Sequence, residues 1–272
     1  MKSILLHIDG DSGMEARLQV AMDIARANNG HITCLQAVSF EVFAPGDFYG
    51  SAMAAAMPRI KEAAEQLRKT IETDLANEDV SWEWRFLYGM AESRLLEQSA
   101  LHDIVIVGPH DVGQEGSRGP SAMAGQLALK APIPVLVVPE KTKRLDMDAP
   151  VLVAWNGSSE SCVALRQSVP LLARAGMVTI ASIAEDKERD RFDFSPSEGA
   201  KYLDRHGIKA ETVDIPRGDA RISDTLFSAA QRRNCSMLVM GAYGHSRLAE
   251  MLLGGVTRRA LTDPQMPIFL AH

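Results

Sequence analysis

Four glycines near the C-terminus have the spacing of an anion-binding loop. Gly241 ends a short apolar run, Gly244 follows after two residues, and the pair Gly254 and Gly255 follows after nine more. Glycine lets the backbone approach a ligand closely, and the free N–H groups of a turn or a helix N-terminus form a concave set of donors. The spacing therefore predicts a phosphate site. From the glycines alone, a structural role in helix caps and tight turns stays open.

Polar residues accompany this loop. His245 and Arg247 lie within it, where they add positive charge or hydrogen bonds, and Thr257 offers a hydroxyl two residues beyond the glycine pair. Ser246 is next to His245 but has no Gly-x-Ser-x-Gly context, so we do not interpret these residues and Asp224 as a catalytic triad.

The remaining histidines and cysteines carry no recognisable chemistry. His7 lies inside the first apolar run, where a satisfied core or edge residue is the more common case. The others lack the spacing of metal ligands. The sequence therefore predicts no catalytic residue and no metal site.

The chain repeats one pattern of apolar runs twice. ILLHIDG at 4–10 and VLVAWNG at 151–157 both end in a polar-glycine turn, 147 positions apart. The apolar runs that end at Gly108 and Gly241 begin a second matching segment, 133 positions apart. The two offsets differ because the first half carries an insertion, which we place at 40–58.

Strand runs that alternate with helical stretches predict parallel β-α-β units with right-handed crossovers. We therefore predict an α/β fold with two tandem, open, doubly wound parallel sheets. Residues 1–139 and 150–272 form the two domains, and the charged segment 139–149 is a solvated linker. In such sheets, ligands bind beyond the carboxyl ends of the strands where the strand order reverses. The loop at Gly241 lies at that edge.

Composition excludes several classes of protein. Hydrophobic residues make up 46% and charged residues 24%, so each half can bury a core. A net charge of −6 opposes a broad nucleic-acid footprint. No stretch of about 18 apolar residues occurs, and the N-terminus lacks an apolar leader, so we expect a soluble, cytoplasmic protein. Cys34, Cys162 and Cys235 lack paired spacing and fit buried thiols in a reducing compartment.

The loop and its context resemble the universal stress protein family, whose signature is Gly-x2-Gly-x9-Gly followed by Ser or Thr. Gly241, Gly244 and Gly254 match it, and the first strands and proline-bounded last strands extend the resemblance over nearly the whole chain. The resemblance implies a five-stranded, adenine nucleotide α-hydrolase-like sheet in each half. It also implies that the halves pair through their last strands as an intramolecular pseudo-dimer. A homodimer of two chains stays open beside this.

Many members of that family hold ATP or AMP, and the resemblance implies such a site in the second half. Asn156, followed by Gly157, takes the position where the family often has an adenine-side Asp, and Ile183 takes a position that lines the base. Ribose and phosphates would be contacted mainly through backbone atoms of Gly241, Gly244, His245, Gly254, Gly255 and Val256.

Two residues of the second half depart from the family pattern. Gly255 stands where a Ser or Thr hydroxyl is usual, with Thr257 two residues on, and Asn156 is neutral where Asp is charged. The loss of one hydroxyl contact weakens phosphate binding by about 1 kcal/mol, which is less than tenfold. These departures lower the expected affinity and leave a nucleotide site intact.

The first half departs much further. Asp111 aligns with Gly244 and Ser121 with Gly254, so the spaced glycines are lost and a carboxylate is gained. A carboxylate repels a phosphate strongly in a partly dry site. We therefore predict no nucleotide phosphate there, and we interpret Gly113, Gly116 and Gly119 as part of a flexible connection.

The resemblance thus implies a stress-response protein whose C-terminal domain binds an adenine nucleotide, with Mg²⁺ alongside ATP, and that acts through binding or signalling to unknown protein partners. One alternative is an interaction or apolar-ligand protein, since aromatic and methionine residues of the insertion 40–58 could cover a pocket. Another is a slow ATPase. Trp82, Trp84 and Phe86 alternate along one strand, and we expect them on a core face and not on a stacking platform.

Overall fold

The computed structural model describes residues 1–39, 49–111, 121–183, 194–216, 218–242 and 255–272. The first half contains, in chain order, β1 (Ser3–Ile8), α1 (Met14–Asn28), β2 (His31–Val38), α2 (Tyr49–Leu75), β3 (Ser81–Tyr88), α3 (Ala91–Ser99), β4 (Ile104–Val107), α4 (Ala122–Lys130) and β5 (Val135–Val137). The second half contains β6 (Val151–Trp155), α5 (Ser159–Leu172), β7 (Val178–Ile183), α6 (Pro196–Arg205), β8 (Ala210–Ile215), α7 (Ile222–Arg232), β9 (Met237–Gly241), α8 (Gly255–Thr262) and β10 (Ile268–Ala271).

The strands form one sheet in the order β3-β2-β1-β4-β5-β10-β9-β6-β7-β8. Within each half all neighbours are parallel, and the strand order reverses between β1 and β4 and again between β6 and β9. The last strands of the halves, β5 and β10, pair antiparallel, with Leu136 opposite Phe269. The predicted α/β fold of two tandem doubly wound sheets is confirmed.

Helices cover both faces of the sheet, and this explains why central strands such as β4 and β5 are apolar along their whole length. All four residues of β4 are buried, as are all three of β5. In β1, Ile4 and Leu6 pack on the face covered by α1, while Leu5 packs on the opposite face. Parallel strands buried on both faces have no solvent side, so no polar alternation is expected.

Two local predictions need correction. The helical pattern of the first half begins at Tyr49 and not at position 59, because the small apolar residues of the insertion favour helix even ahead of Pro58. The other part of the insertion, 40–48, lies outside the described residues. Cys34 is buried as predicted, whereas Cys162 and Cys235 are only half-buried.

The segment between the halves is anchored and not merely solvated. Lys141, Lys143 and Arg144 are exposed as predicted. Leu145, however, is 3% exposed, and its backbone N–H donates to Oδ2 of Asp23 in α1 at 2.7 Å. Within the described ranges, no helix combines the length and apolar character needed to cross a bilayer.

Candidate functional site

The turn after β6 is built by Asn156, Gly157 and Ser158. Gly157 adopts a φ of +76°, which favours glycine, and the Ser158 hydroxyl caps α5 by accepting from the Ser161 N–H at 3.2 Å. Oδ1 of Asn156 accepts from the Ser158 N–H at 3.2 Å. Because this bond occupies the amide oxygen, the exposed Asn156 side chain offers its NH₂ group as a donor, where an Asp would offer a second acceptor.

Gly241 ends β9 beside this turn, and its lack of a side chain has a packing cause. A Cβ at this position would lie 2.6 Å from the carbonyl carbon of Glu160 and 2.7 Å from the backbone nitrogen of Ser161. The first turn of α5 therefore crosses β9 at a distance that only glycine permits. Close helix packing thus explains this glycine without a ligand, while its contact with a nucleotide stays a prediction.

The remaining predicted residues come from two other elements. Ile183 is the last residue of β7, one position beyond Ser182, which pairs with Trp155. It therefore lies at the strand end next to Asn156. Gly255 is the first residue of α8, where Val256 is half-buried and Thr257 is 4% exposed. Gly244, His245, Arg247 and Gly254 lie outside the described residues.

A buried carboxylate near this edge is not apparent from the sequence. Glu160 lies in the first turn of α5 and is 8% exposed. Burial alone would raise its pKa, but hydrogen bonds from its own backbone N–H and from the hydroxyls of Ser158 and Ser159 hold the pKa below the ordinary value. A helix N-terminus stabilises a negative charge in this position, so Glu160 is held ionised beside Gly241.

The equivalent edge of the first half is filled by an ionic cluster. Arg17 of α1 is fully buried. One guanidinium nitrogen, Nη1, lies 2.8 Å from Oδ2 of Asp11, and the other, Nη2, bonds Oδ1 of Asp9. Nδ1 of His7 is 3.3 Å from Oδ2 of Asp9. The cluster contains two carboxylates and one guanidinium, so one carboxylate lacks a full counter-charge.

The pKa shifts in this cluster follow from that imbalance. Burial raises the pKa of Asp9 to about 6, against the opposing charge of Arg17. Asp11 is partly buried, which by itself would raise its pKa, yet its hydrogen bond and charge interaction with Arg17 bring the pKa below the ordinary value. Burial lowers the pKa of His7 to about 3, and the nearby Arg17 charge adds to this. His7 is therefore neutral at pH 7. It is buried as predicted, but its Nδ1 makes no hydrogen bond, so the prediction of a satisfied residue is met only in part.

Arg17 occupies the crevice at the point where the strand order reverses. A Cβ on Gly108, at the end of β4, would lie 2.6 Å from Nη1 of Arg17 and 3.3 Å from Oδ2 of Asp11. In the second half the four cluster positions carry small neutral residues, Ala154, Asn156, Ser158 and Ala164. We did not predict the cluster from the sequence. The signal was an arginine on the apolar stripe of α1, three and seven residues before the buried Val20 and Ile24.

A third acid, Asp111, closes the other side of the first-half crevice. α4 begins at Ala122, which is 133 positions before Gly255, the start of α8. Asp111 accepts from the Ala122 N–H at 2.9 Å and from the Ser121 hydroxyl, and Ser121 in turn accepts from the Ala124 N–H at 2.9 Å. The helix N-terminus of the first half is therefore already bonded to an anion of the chain itself. The positions equivalent to Asp111 and Ser121 are Gly244 and Gly254, which carry no side chain.

The described residues contain no cluster of three metal-ligating side chains. Asp224 lies 3.8 Å from the guanidinium of Arg259. His245 and Ser246 are outside the described residues. Nδ1 of His102 lies 2.7 Å from the backbone oxygen of Gln98, which accounts for that histidine structurally.

Comparison with known proteins finds the same repeat. The sequence model of the universal stress protein family matches residues 1–139 and 149–272. Universal stress protein Slr1230 of Synechocystis is 26% identical over 175 residues, which cover 59% of this chain and 58% of that protein. The chain therefore matches less than two thirds of that relative's length.

Solved structures show the same fold. A universal stress protein from Archaeoglobus fulgidus superposes with a TM-score of 0.74 at 16% identity, covering 98% of this chain and 97% of its own. One described as a putative universal stress protein from Pseudomonas aeruginosa gives a TM-score of 0.60 at 18% identity, covering 99% of this chain and 92% of its own. Because the family model matches both halves over most of their length, the chain belongs to the universal stress protein family.

Proposed function

We propose that the second half binds an adenine nucleotide, ATP or AMP, at the crevice between β6 and β9, and that the first half does not. The observation that carries the proposal is the difference between the two crevices. In the first half Arg17 bonds Asp9 and Asp11 at this edge, and Asp111 bonds the N-terminus of α4. At the same positions the second half has neutral residues too small to replace a ligand.

The donors for the phosphates would come from the backbone. The first N–H groups of a helix have no partner within the helix and carry a partial positive charge. At α4 a carboxylate uses them, whereas the matching position for α8 is Gly244. Gly244, Gly254, Gly255 and Val256 would hold the phosphates, with His245, Arg247 and Thr257 as further polar groups.

The base would lie over the ends of β6 and β7. Asn156 and Ile183 come from neighbouring strand ends, so one can hydrogen-bond an adenine edge while the other packs on its face. Gly157 forms a tight turn beside them and adds no side chain, and Gly241 borders the crevice on the side of β9. Mg²⁺ would accompany ATP through its phosphates, since that ion prefers phosphate oxygens and water.

We infer that the chain works by binding and not by turnover. Occupied and empty second halves would present different surfaces to a protein partner, while the first half stays in one state. In this proposal residues 1–139 form the constitutively filled domain and residues 150–272 form the nucleotide-responsive domain. The antiparallel contact of β5 with β10 connects them, with Ile268 opposite Val137.

The test is equilibrium dialysis with ATP on wild type, Gly254→Asp and Ser121→Asp. Positions 121 and 254 are equivalent, so both variants add one acid at the same place in the repeat. Asp is a good helix cap and can replace Ser121 at the start of α4, although its carboxylate then lies beside Asp111, which accepts from the Ser121 hydroxyl in wild type. We expect Gly254→Asp to lose at least about tenfold in ATP affinity, because a carboxylate then faces the phosphates. We expect Ser121→Asp to bind like wild type.

Equal ATP retention by wild type and Gly254→Asp would remove the glycine loop from the proposed site. Equal losses in both variants would place the effect in the fold and not in a site of the second half. Phosphate release measured in the same samples checks turnover. Release that follows the protein through purification and disappears in Gly254→Asp would replace the binding role with a slow ATPase.

A further inference from the structure

A groove on the second half lies between helices α5 and α6. Its volume is about 540 Å³, which is in the usual range for a small-molecule pocket. Trp155 and Leu165 are almost fully buried and form its floor. The walls carry Cys162 and Tyr202, which are half-buried, and Phe194, which is 42% exposed. A ligand in the groove would therefore cover apolar surface of the walls that is otherwise open to water.

The floor of the groove is fixed by contacts within the chain. A Cβ on Gly199 would lie 3.3 Å from Cη2 of Trp155 and 3.3 Å from Cδ1 of Ile180, so this glycine lets α6 approach the floor closely. The indole N–H of Trp155 donates to the backbone oxygen of Phe194 at 2.7 Å. The polar atom of the floor is thus already bonded, and a ligand has only apolar contacts to make there.

Three cations line the groove. Arg166 comes from α5, and Lys201 and Arg205 come from α6. All three residues are exposed. Within the described second half, the ion pairs involve other arginines, Arg233 and Arg259, and none of these three. A ligand that enters the groove therefore meets positive charge that no ion pair neutralises.

One acid, Glu198, also lines the groove, and it is bonded at the start of α6. Its Oε2 accepts from the Ser195 N–H at 3.0 Å and from the Ser195 hydroxyl at 3.2 Å. A helix N-terminus stabilises a carboxylate in this position. With three cations against this one acid, the charge of the lining is positive.

The equivalent positions of the first half carry different chemistry. α5 repeats α1 at the offset of 147 positions, so Arg166 matches Gln19 and Cys162 matches Glu15. The first half thus has an amide and an acid where the second half has a cation and a thiol. The positive lining is a property of the second half and not of the repeat.

The aromatic floor also differs between the halves. Trp155 matches Ile8 at the same offset. Trp82 and Trp84 lie on β3 instead, where they pack against the core of the first half, as predicted. The groove between α5 and α6 therefore combines rings and cations that the repeated pattern does not require.

We propose that this groove binds a planar aromatic carboxylic acid, which is ionised at pH 7. Its ring would lie against Tyr202 and Phe194, where offset and edge-to-face contacts are favourable. Its carboxylate would lie at the rim, where a planar guanidinium such as that of Arg166 can bond both oxygens. A neutral ring would leave the cations without a partner, and a small inorganic anion would leave the apolar walls uncovered.

Calorimetric titration of 2-naphthoate and of its neutral analogue 2-naphthamide tests the role of charge. We expect wild type to bind 2-naphthoate at least about fivefold more tightly than the amide. Arg166→Gln and Lys201→Gln should each weaken 2-naphthoate binding by about three- to fivefold and leave 2-naphthamide binding unchanged. The matched control is Arg174→Gln, because Arg174 is an exposed arginine beyond the end of α5 and outside the groove lining. This variant should bind both compounds like wild type.

Thiol labelling locates the bound compound. Cys162 lines the groove, whereas Cys235 is half-buried elsewhere in the second half. Burial raises the pKa of both thiols, so labelling by N-ethylmaleimide is slow enough to follow. Saturating 2-naphthoate should abolish most of the labelling of Cys162 and leave that of Cys235 unchanged, as measured by mass spectrometry of the two peptides.

Several results would overturn the proposal. One is equal affinity of wild type for the acid and the amide, and another is the absence of saturable 2-naphthoate binding below about 5 mM. Equal labelling of Cys162 with and without 2-naphthoate would place the compound outside the groove. Loss of 2-naphthoate binding in Gly254→Asp would place it in the nucleotide crevice. We expect Gly254→Asp to bind 2-naphthoate like wild type, so the groove is tested independently of the ATP site.

Discussion

The carboxyl edges of the two halves show two outcomes of one architecture. Both edges follow the same turn, strand and helix, yet one carries His7, Asp9, Asp11 and Arg17 where the other carries small neutral residues. Asp111 adds an acid at the helix N-terminus of the first half only. An edge whose donors are bonded to the chain's own carboxylates gains nothing from an external anion. On the proposed function, the comparison indicates that a crevice can be closed to a ligand by the chain's own side chains as well as by the loss of glycines.

The filled edge should be sensitive to the removal of a single partner. A buried ion pair adds little net stability, but breaking it leaves an uncompensated charge in a dry environment. Arg17 is the cation that holds both Asp9 and Asp11, and it is completely buried. The second half, which carries neutral residues at the four equivalent positions, offers a natural template for replacing it.

The largest expected effect is therefore that of Arg17→Met. The side chain keeps most of its volume and loses its charge, so two acids remain buried without a cation. We expect the free energy of unfolding to fall by about 3–5 kcal/mol. Urea unfolding followed by circular dichroism measures this at pH 7.

The matched control transplants the second half's residues. The combined variant replaces each cluster residue by the residue at the equivalent position of the second half; these are Ala154, Asn156, Ser158 and Ala164. Its four substitutions are His7→Ala, Asp9→Asn, Asp11→Ser and Arg17→Ala. With the acids gone, most of the lost stability should return, because neutral replacements of a buried ion cluster are often well tolerated. A combined variant as unstable as Arg17→Met would show that cavity formation, and not unpaired charge, explains the loss.

The next largest effect is a pH dependence that belongs to Asp9. Its pKa is raised to about 6 in the folded protein, above the unfolded value of 3.8, so the folded state binds more protons in this window. Stability from this group is present at low pH and is lost as pH rises from about 4 through 6. Asp9→Asn should therefore gain stability relative to wild type as pH rises, by about 2 kcal/mol.

Urea midpoints of wild type and Asp9→Asn at pH 4.5 and pH 7 check this. His7 works in the opposite direction, since its lowered pKa removes stability as pH falls below about 6.5, and it is present in both proteins. Asp11, with a lowered pKa, changes stability only below this window. A difference between the two proteins that does not vary with pH would mean that Asp9 stays ionised throughout, with Arg17 as its full counter-charge.

The sequence predicted the architecture better than it predicted the edge of the first half. Apolar runs and glycine turns recur at fixed spacing, so the two sheets followed from the pattern. The ionic cluster did not, because Arg17 and Asp9 meet only when α1 packs on β1 and the turn brings Asp11 between them. Hydrophobic periodicity predicts that a position is buried, but it does not predict which side chains that position will contact.

Gly241 illustrates the same limit from the other side. Its place in the glycine motif predicts a ligand contact, while its close approach to the backbone of Glu160 explains the glycine without one. A glycine motif indicates which positions tolerate no side chain. The packing in the structure shows which of these glycines are required by the fold.

A smaller effect should follow from exchanging Asp111, the acid at the N-terminus of α4, for the glycine found at the equivalent position 244. Asp111→Gly removes the acceptor of the Ala122 N–H and should lower the free energy of unfolding by about 1 kcal/mol. ATP retention should not change, because Arg17 still fills the crevice. The reverse exchange, Gly244→Asp, should lower ATP affinity instead.

Urea unfolding and equilibrium dialysis on both variants complete this comparison. A second equivalent of ATP bound by Asp111→Gly would show that the acid alone kept the first half empty. In that case the Arg17 cluster would be a structural feature of the fold and would not be what keeps ATP out of the first half.

The smallest expected effect concerns Asn156, which stands where the family resemblance implies an Asp. Asn156→Asp keeps the acceptor for the Ser158 N–H, so stability should change by less than about 0.5 kcal/mol. It replaces an NH₂ donor by an acceptor that can bond an adenine amino group, and ATP affinity should rise by up to about fivefold. Asn156→Ala, which loses the turn, is the control for stability. A fall in ATP affinity in Asn156→Asp would show that the amide donates to a ring nitrogen of the base, and that the neutral residue is suited to its ligand as it stands.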